Sequence, residues 1–364
     1  MRAQPEGGAV IRIEIEPQWR FRRDGEPQAM LVMLGFLNEI RASGKLTRAA
    51  EESGLSYRHA WSLIQKWAEF FEAPLVERRQ GKGTLLTPLG EKLVWAGQRL
   101  QARLGPQLQN LSQELETEIN QLLPHGPAVV RVHASHGFAV SKLREMLGRA
   151  ADLSVDLRYV TNPASLASLA HDGCDLAGMH LPQGALRKRN ITAAKAWLKA
   201  GEHRVIGFVT REMGLMVKRG NPLGIRSLDQ LTDPAFRFIN RDLDSGTRLL
   251  FDQLLAQQGV DGARVNGYEQ VEFTHAAVAA YVASDMADVS FGVEAAARQF
   301  DLDFVRLVTE DYFFVCKKQT LESPAVQRVI AIMRSDEFRD AIVALPGYTV
   351  WDAGVIKTVG EAFQ

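Results

Sequence analysis

The chain has 364 residues, with 43 lysines and arginines balanced by 43 aspartates and glutamates and with 46% hydrophobic residues. This length is typical of two or three domains, each large enough to bury its own core. The zero formal charge excludes a uniformly basic nucleic-acid coat, and two cysteines are too few for a disulfide framework. The sequence has no apolar run of the ~18–20 residues that span a bilayer and no visible secretory signal, so we expect a cytoplasmic protein without membrane contact.

The first part of the chain has a mainly helical pattern. Alternating apolar residues over 10–16 predict a short strand, and helical spacing over 30–40 predicts a first helix. Thr47 is placed to cap a second helix that ends at Gly54, and Ser56 is placed to cap a third. A short helix, a glycine turn and a longer helix in this order predict a helix–turn–helix.

A hairpin and a long helix follow. Residues 75–87 form two short apolar segments around a glycine-bearing tip, which predicts the hairpin. The long helix begins at Pro88, and a kink is expected at Gly105-Pro106. Its leucines recur at coiled-coil spacing: Leu104, Leu108, Leu111, Leu115 and Leu122. We favour a contact in which these leucines pack against the same helix of a second copy of the chain. Packing of the helix on its own domain is the open alternative.

The helix–turn–helix predicts contact with double-stranded DNA. The first residues of the second of its helices face base edges in the major groove, and nearby basic residues neutralise phosphates. Arg58 is the strongest candidate for a base contact, since it lies in the first turn after the cap. A solvated face explains Arg79 equally well. For Trp61 and Trp67 we favour the core over a base contact. The candidate DNA-binding residues are Thr47, Arg48, Ser56, Tyr57, Arg58, Ser62, Gln65, Lys66, Arg79 and Lys82.

After a Pro/Gly hinge at residues 124–127, strands and helices alternate. This pattern predicts a parallel sheet with connecting helices, repeated in two α/β lobes. The crossovers between the lobes are expected near residues 207–208 and 310–311. The predicted strands of the first lobe cover residues 129–134, 155–160 and 175–179, and the second lobe covers residues 236–291.

Turns at the ends of these strands predict a ligand cleft. Ligands of open α/β sheets bind at the carboxyl ends of the strands, where free backbone N–H groups, hydroxyls and helix N-termini suit an anion. The candidate ligand-binding residues are Ser135, His136, Asn162, Ser165, Ser245, Gly246, Thr247, Arg248, Thr274 and His275. A site made only of hydrogen-bond donors favours a fully deprotonated oxyanion over protonated phosphate.

Several of these residues have a second explanation. His275 is as well explained by a helix surface, and Arg248 either clamps an anion or pairs with Asp244. Asp244 would repel an oxyanion unless it caps the helix or is neutralised; otherwise the ligand carries a cationic group. Helix capping accounts equally well for Ser135, Asn162 and Ser165, and is favoured for Thr274.

Enzymatic motifs are missing from the sequence. It has no Ser/His/Asp order, paired carboxylates, phosphate-binding loop or metal-ligand spacing. We therefore expect no catalytic residue, no metal site and no cofactor.

Residues 30–122 resemble the winged helix–turn–helix of the ModE family of molybdate-responsive regulators, which is related to that of LysR-type regulators. The motifs that carry this resemblance are Ser-Tyr-Arg-His-Ala-Trp from Ser56, Pro-Leu-Val-Glu-Arg from Pro74 and Leu-Thr-Pro-Leu-Gly from Leu86. The resemblance implies a homodimer, or a higher oligomer, on a two-fold operator.

Residues 128–318 resemble the periplasmic-binding-protein-like domains attached to such modules. The matching stretches include Ala134-Ser135-His136-Gly137, Ile239-Asn240-Arg241 and Ser245-Gly246-Thr247-Arg248. The expected fold is therefore a mainly α winged helix–turn–helix (residues 1–88), a linker helix (89–123) and an α/β two-lobed sensor (127–364).

Both resemblances imply a one-component transcription regulator whose sensor closes on a small anion, with molybdate or tungstate as the effector. Closure would then shift the two recognition helices of the dimer. A small organic anion or a molybdenum-pathway metabolite is the alternative ligand. An enzyme of molybdenum cofactor metabolism is the alternative class, and the helix–turn–helix argues against it.

Overall fold

The computed structural model describes residues 11–23, 28–29, 31–79, 83–123, 128–150 and 153–363. The chain divides into two compact units, and the division falls inside a long helix. The first unit covers residues 16–102, and the second covers residues 103–363 together with residues 11–15. No helix in the described part of the chain is long and apolar enough to cross a membrane.

The first unit is a winged helix–turn–helix. Its elements are β1 (Arg20–Phe21), β2 (Gln28–Ala29), α1 (Leu31–Ser43), α2 (Leu46–Glu52), α3 (Tyr57–Phe71), β3 (Val76–Arg79), β4 (Gly83–Leu86) and the first part of α4 (Pro88–Gln121).

Local sequence explains the boundaries of the helices. The Ser56 hydroxyl accepts a hydrogen bond from the His59 N–H at 3.2 Å and caps α3, as predicted. Gly54 turns the chain between α2 and α3 with a φ of 64°, which a side chain rarely adopts. The predicted cap at Thr47 is wrong: the cap position is two residues earlier, at Lys45, and Thr47 lies exposed in the first turn of α2.

The β3–β4 hairpin is held against the helices by the backbone. The strands pair antiparallel, and the Thr84 N–H donates to the Gly44 carbonyl at 2.9 Å. The Thr87 hydroxyl accepts from the Gly90 N–H at 3.2 Å, which fixes the start of α4 beside the hairpin. Helix α4 continues through Pro106, the residue at which the sequence predicts a kink.

The second unit is the α/β two-lobed domain that the sequence predicts, and it is called the sensor domain after that expectation. Its further elements are β5 (Ala128–Ala134), α5 (Phe138–Gly148), β6 (Leu153–Tyr159), α6 (Asn162–Ala170), β7 (Leu176–Pro182), α7 (Arg187–Ala194), β8 (His203–Val217), β9 (Phe238–Arg241), α8 (Gly246–Gln257), β10 (Val271–Glu272), α9 (His275–Ala283), β11 (Val289–Val293), α10 (Glu294–Gln299), β12 (Asp303–Lys317), α11 (Pro324–Met333), α12 (Asp336–Val343), β13 (Tyr348–Val350), β14 (Ile356–Thr358) and α13 (Val359–Ala362).

Two lobes share one sheet in the order β10-β9-β11-β8-β12-β7-β5-β6. The strands β5, β6 and β7 are parallel in the first lobe, and β9, β10 and β11 are parallel in the second. Between them run β8 and β12, each 15 residues long, which pair antiparallel and carry the crossovers where the sequence predicted them. Separate apolar cores fill the two lobes, one around Phe208 and Phe314 and one around Phe251 and Phe291.

The strand predicted over residues 10–16 is wrong for its described residues, which have no strand pairing. Their backbone N–H groups are bound by side chains of α4 instead. Ile11 donates to Asn120 and Ile13 donates to Glu116, each at 2.9 Å. An extended segment can satisfy its backbone through a helix as well as through a sheet, and the alternation of residues cannot tell the two apart.

Candidate functional site

The outer face of α3 is polar and exposed. Ala60, Ile64 and Trp67 are buried, which fixes the inner face of the helix and assigns Trp67 to the core. The predicted contact residues lie on the opposite side or at its start, and all are exposed: Ser56, Tyr57, Arg58, Ser62, Gln65 and Lys66. Thr47 and Arg48 are exposed on the preceding helix. The arrangement can present these side chains to a DNA groove.

The hairpin adds a second basic group beside α3. Arg78 donates to the Tyr57 hydroxyl, and its guanidinium lies 5.1 Å from the centre of the Trp61 ring. Arg79 pairs with Glu77 at 2.7 Å, with both side chains exposed. The predicted contact Lys82 lies outside the described residues.

Arg58→Ala should weaken binding to the cognate operator by about 1–3 kcal/mol and relax the base preference at one position. Arg58 has no ion-pair partner among the described residues, so its charge is available to DNA. Fluorescence anisotropy on duplexes selected from a random pool, and on their single-base variants, measures both effects.

Arg48→Ala is the control. As a phosphate contact it should weaken all duplexes alike and flatten the salt dependence by about one unit. Wild-type selectivity in Arg58→Ala would show that α3 does not read bases through this residue.

The sensor contains a cavity of about 200 Å³ at the carboxyl ends of its parallel strands. This volume is below the ~300–1,000 Å³ of sites for drug-sized ligands, so it suits an inorganic ion or a compact organic molecule. Its walls come from the ends of β5, β6, β7 and β9, the starts of α8 and α9, and one face of α4. The predicted cleft therefore exists at the predicted edge of the sheet.

Arg241 supplies an incompletely satisfied buried cation to this cavity. The residue is 8% exposed, and its Nε and Nη1 atoms have no hydrogen-bond partner among the described residues. Its Nη2 donates to the Phe273 carbonyl at 2.8 Å and lies 3.6 Å from the Asp242 carboxylate. Burial lowers the pKa of Arg241 to about 10, which still leaves it charged at neutral pH.

A buried ionic network on β7, β8 and β12 adjoins the cavity, and two of its members, His180 and Arg211, line it. Glu310 accepts from Arg211 at 2.8 and 2.9 Å and contacts Nδ1 of His180 at 3.0 Å. Burial alone would raise the pKa of Glu310, but the charge of Arg211 and the hydrogen bonds from Arg211 and His180 outweigh burial and lower that pKa. The carboxylate therefore cannot donate, and Nδ1 of His180 carries the proton.

The histidines that line the cavity are neutral at pH 7. Burial lowers the pKa of His136 to about 4 and also lowers the pKa of His180. It holds the pKa of His275 well below its usual value. With its proton on Nδ1, neutral His180 presents Nε2 as an acceptor. The expectation of a site made only of donors is thus wrong, because this imidazole and the Asp242 carboxylate, which also lines the cavity, both supply acceptors.

Seven of the ten predicted ligand residues line the cavity: Ser135, His136, Ser245, Gly246, Thr247, Thr274 and His275. Ser245 and Thr274 also cap α8 and α9, as their side chains accept from backbone N–H groups at 3.1 and 2.9 Å. Gly246 is required by close packing, since a β-carbon there would lie 2.4 Å from Cε1 of His180. His275 is buried, which excludes the helix-surface explanation.

The other three predicted ligand residues do not line the cavity. Arg248 pairs with Asp252 at 3.0 Å and lies over the Tyr268 ring, so it neither clamps an anion nor neutralises Asp244. Asn162 lies one layer behind, where it accepts from the Ser135 hydroxyl at 3.2 Å.

The third of these residues, Ser165, donates to backbone carbonyls inside the first lobe. Thr161, four residues earlier, has both roles that were expected of Ser165: it caps α6 and it lines the cavity. Asp244 is exposed and outside the lining, and Ser245 is the cap of α8.

A family model for the PBP superfamily domain matches residues 143–334, which is more than half of the chain. The chain belongs to the PBP superfamily. A second model, the bacterial regulatory helix-turn-helix protein of the lysR family, matches residues 31–91. Together they make the chain a transcription regulator with a LysR-type helix–turn–helix fused to a PBP-like domain, and not an enzyme.

Three known proteins illustrate these similarities. The uncharacterized protein YvgK of Bacillus subtilis is 28% identical over 65% of this chain and 76% of its own length. The molybdenum transport protein ModE of Azotobacter vinelandii is 36% identical over 22% of this chain and 31% of its own length. The structure of a peroxide-bound OxyR mutant from Corynebacterium glutamicum is 12% identical over 88% of this chain and 95% of that chain, with a TM-score of 0.45.

The cavity and the ionic network beside it also contain residues that the sequence analysis did not propose as site residues. His180 and Arg241 each stand at or near the carboxyl end of a strand, so the rule that located the turns could have found them. Arg211 and Glu310 lie within β8 and β12 and meet through strand register, which the sequence does not display. No group of three or more potential metal ligands occurs within the described ranges.

Proposed function

We propose that the effector of this regulator is a small anion bound in the cavity of the PBP-like domain. The observation that carries the proposal is Arg241, a buried cation with two unsatisfied donor atoms in the lining. Leaving buried charged donors without acceptors costs free energy, and an anion in the cavity would recover it. Asp242 compensates only in part, at 3.6 Å.

Molybdate or tungstate is the first candidate for this anion. The motifs that resemble the ModE family lie in the DNA-binding unit, and a relative with this name is a molybdenum transport protein. The cavity volume and the donors of Arg241, Ser245 and Thr247 suit a compact tetrahedral oxyanion. This support comes from the DNA-binding unit and from general anion chemistry.

A small organic anion is the second candidate, because the lining is partly apolar. Phe273, Tyr159 and Pro106 contribute to it beside the charged groups. A carboxylate with a short carbon skeleton could bind Arg241 and pack against these surfaces, and the Nε2 acceptor of His180 could bind a hydroxyl group on it.

We also propose that the regulator acts as a homodimer, or a higher oligomer, on operator DNA in the cytoplasm. The C-terminal half of α4 buries polar residues against its own unit: Ser112, Gln113, Glu116 and Asn120. Leu111 on this helix is 46% exposed, and Leu122, one residue past the end of the helix, is 85% exposed. An apolar helix face exposed to water favours a second copy as its cover.

A panel of ions tests the effector. Molybdate, tungstate, sulfate, phosphate and malonate are added to the full chain, and the melting temperature is followed by calorimetry. A ligand at a hundredfold excess over its Kd stabilises the folded state by about 2.7 kcal/mol. We expect molybdate or tungstate to give the largest shift. A shift from malonate alone would favour the organic anion, and no shift from any member would contradict the anion proposal.

A further inference from the structure

One face of the linker helix α4 belongs to the effector cavity. Four of its residues line the cavity, at spacings that place them on one side of the helix: Arg103, Pro106, Gln107 and Asn110. All four lie in the second unit, so they are part of the sensor itself.

The same face connects the helix to both lobes. Asn110 binds the end of β6 through two hydrogen bonds, since its Oδ1 accepts from the Tyr159 N–H at 2.7 Å and its Nδ2 donates to the Tyr159 carbonyl at 3.1 Å. One amide side chain thereby satisfies both backbone groups of a strand-end residue, which fixes the helix to the first lobe. Two turns earlier, Arg103 reaches the second lobe.

The contact of Arg103 is much looser. Its Nε lies 3.8 Å from the Glu272 carboxylate, and its guanidinium lies 5.5 Å from the centre of the Phe273 ring. Glu272 is buried, while the Arg103 side chain is 46% exposed. A pair at this distance lies beyond hydrogen-bond range, so Glu272 holds the half-exposed Arg103 side chain only weakly.

We propose that Arg103 is an effector-binding residue, and that a bound anion replaces Glu272 as its partner. The inference rests on the anion proposal above. Arg103 and Arg241 then hold the anion from opposite elements, the linker helix and the sheet. Because α4 continues directly into the DNA-binding unit, the helix detects the occupant by contact, in addition to any closure of the lobes.

Arg103→Gln tests this role in the full chain, with the ion that gives the largest shift in the panel as the probe. Loss of a charge-assisted contact should weaken ion binding at least tenfold in titration calorimetry. The change in operator affinity on adding saturating ion should also become smaller. Arg99→Gln is the matched control, because it removes the same charge one turn earlier and outside the lining.

Glu272→Gln separates ligand contact from a structural role. If Arg103 only holds the helix through Glu272, both variants should weaken ion binding alike. If Arg103 binds the anion, Glu272→Gln releases it and leaves ion affinity equal or higher.

Wild-type ion affinity in Arg103→Gln, or equal weakening in both variants, would overturn the inference while the anion proposal stands. If the wild-type chain binds no ion of the panel, the anion proposal fails and takes this inference with it.

Discussion

Arg241→Met should abolish effector binding and raise the melting temperature of the unliganded chain. Methionine keeps much of the side-chain volume and removes the buried charge. The depression of the Arg241 pKa from its ordinary value to about 10 corresponds to about 3 kcal/mol of destabilisation of the charged folded state. This cost disappears in the variant, although the hydrogen bond to Phe273 is lost as well.

The ion panel and the melting curve measure both effects together. We expect no stabilisation by any ion and an unliganded melting temperature above that of the wild type. The two expected effects have opposite directions, since ion-induced stabilisation is lost while the unliganded melting temperature rises. A variant that merely damages the fold lowers both. A group that destabilises the empty protein and is needed for the ligand is typical of a binding site.

Arg248→Met is the matched control on the same lobe. Arg248 is also buried, but it is paired with Asp252 and stacked on Tyr268. Its loss should lower the melting temperature and leave the ion-induced shift intact. If Arg248→Met abolishes ion binding while Arg241→Met retains it, the assignment of the anion-binding arginine is wrong.

Leu111→Glu combined with Leu122→Glu should convert the regulator into a monomer. Both side chains are exposed in the single chain, so the substitutions cost its fold little. In a seam between two copies they would bury like charges without partners. Sedimentation velocity measures the oligomeric state.

The same variant should bind the operator at least a hundredfold more weakly. Two linked recognition helices gain ~10²–10⁴ in affinity from effective concentration, and a monomer loses that gain. Val343→Glu is the control, since it adds a charge at an apolar residue that is 68% exposed elsewhere on the sensor. If the double variant is still a dimer, the contact between the two copies does not lie at these leucines.

Local patterns predicted the helix–turn–helix and the position of the cleft well. The Ser56 cap, the Gly54 turn and the turns before α8 and α9 are decided by residues close in sequence. Strand ends at one edge of a sheet converge whatever their order, so Ser135, Ser245 and Thr274 could be placed together before the structure was known.

Contacts between distant elements could not be predicted in this way. Glu310 meets Arg211 and His180 because β12 lies between β7 and β8 in one particular register. Arg248 resembled an anion clamp, yet α8 turns it toward Asp252, four residues further on the same helix. The docking of α4 over the cavity also depends on a helix–sheet contact that no local pattern encodes.

The C-terminal half of α4 leaves little room for a change in length. One side lines the cavity, another binds residues 11–15 and the sensor surface, and a third carries the leucines. One inserted residue rotates everything beyond it by about 100° and advances it by about 1.5 Å. A point substitution alters one of these surfaces, whereas a single insertion after Asn110 would misplace two of them together. Evolution in this stretch is therefore expected to proceed by exchange of residues at constant length.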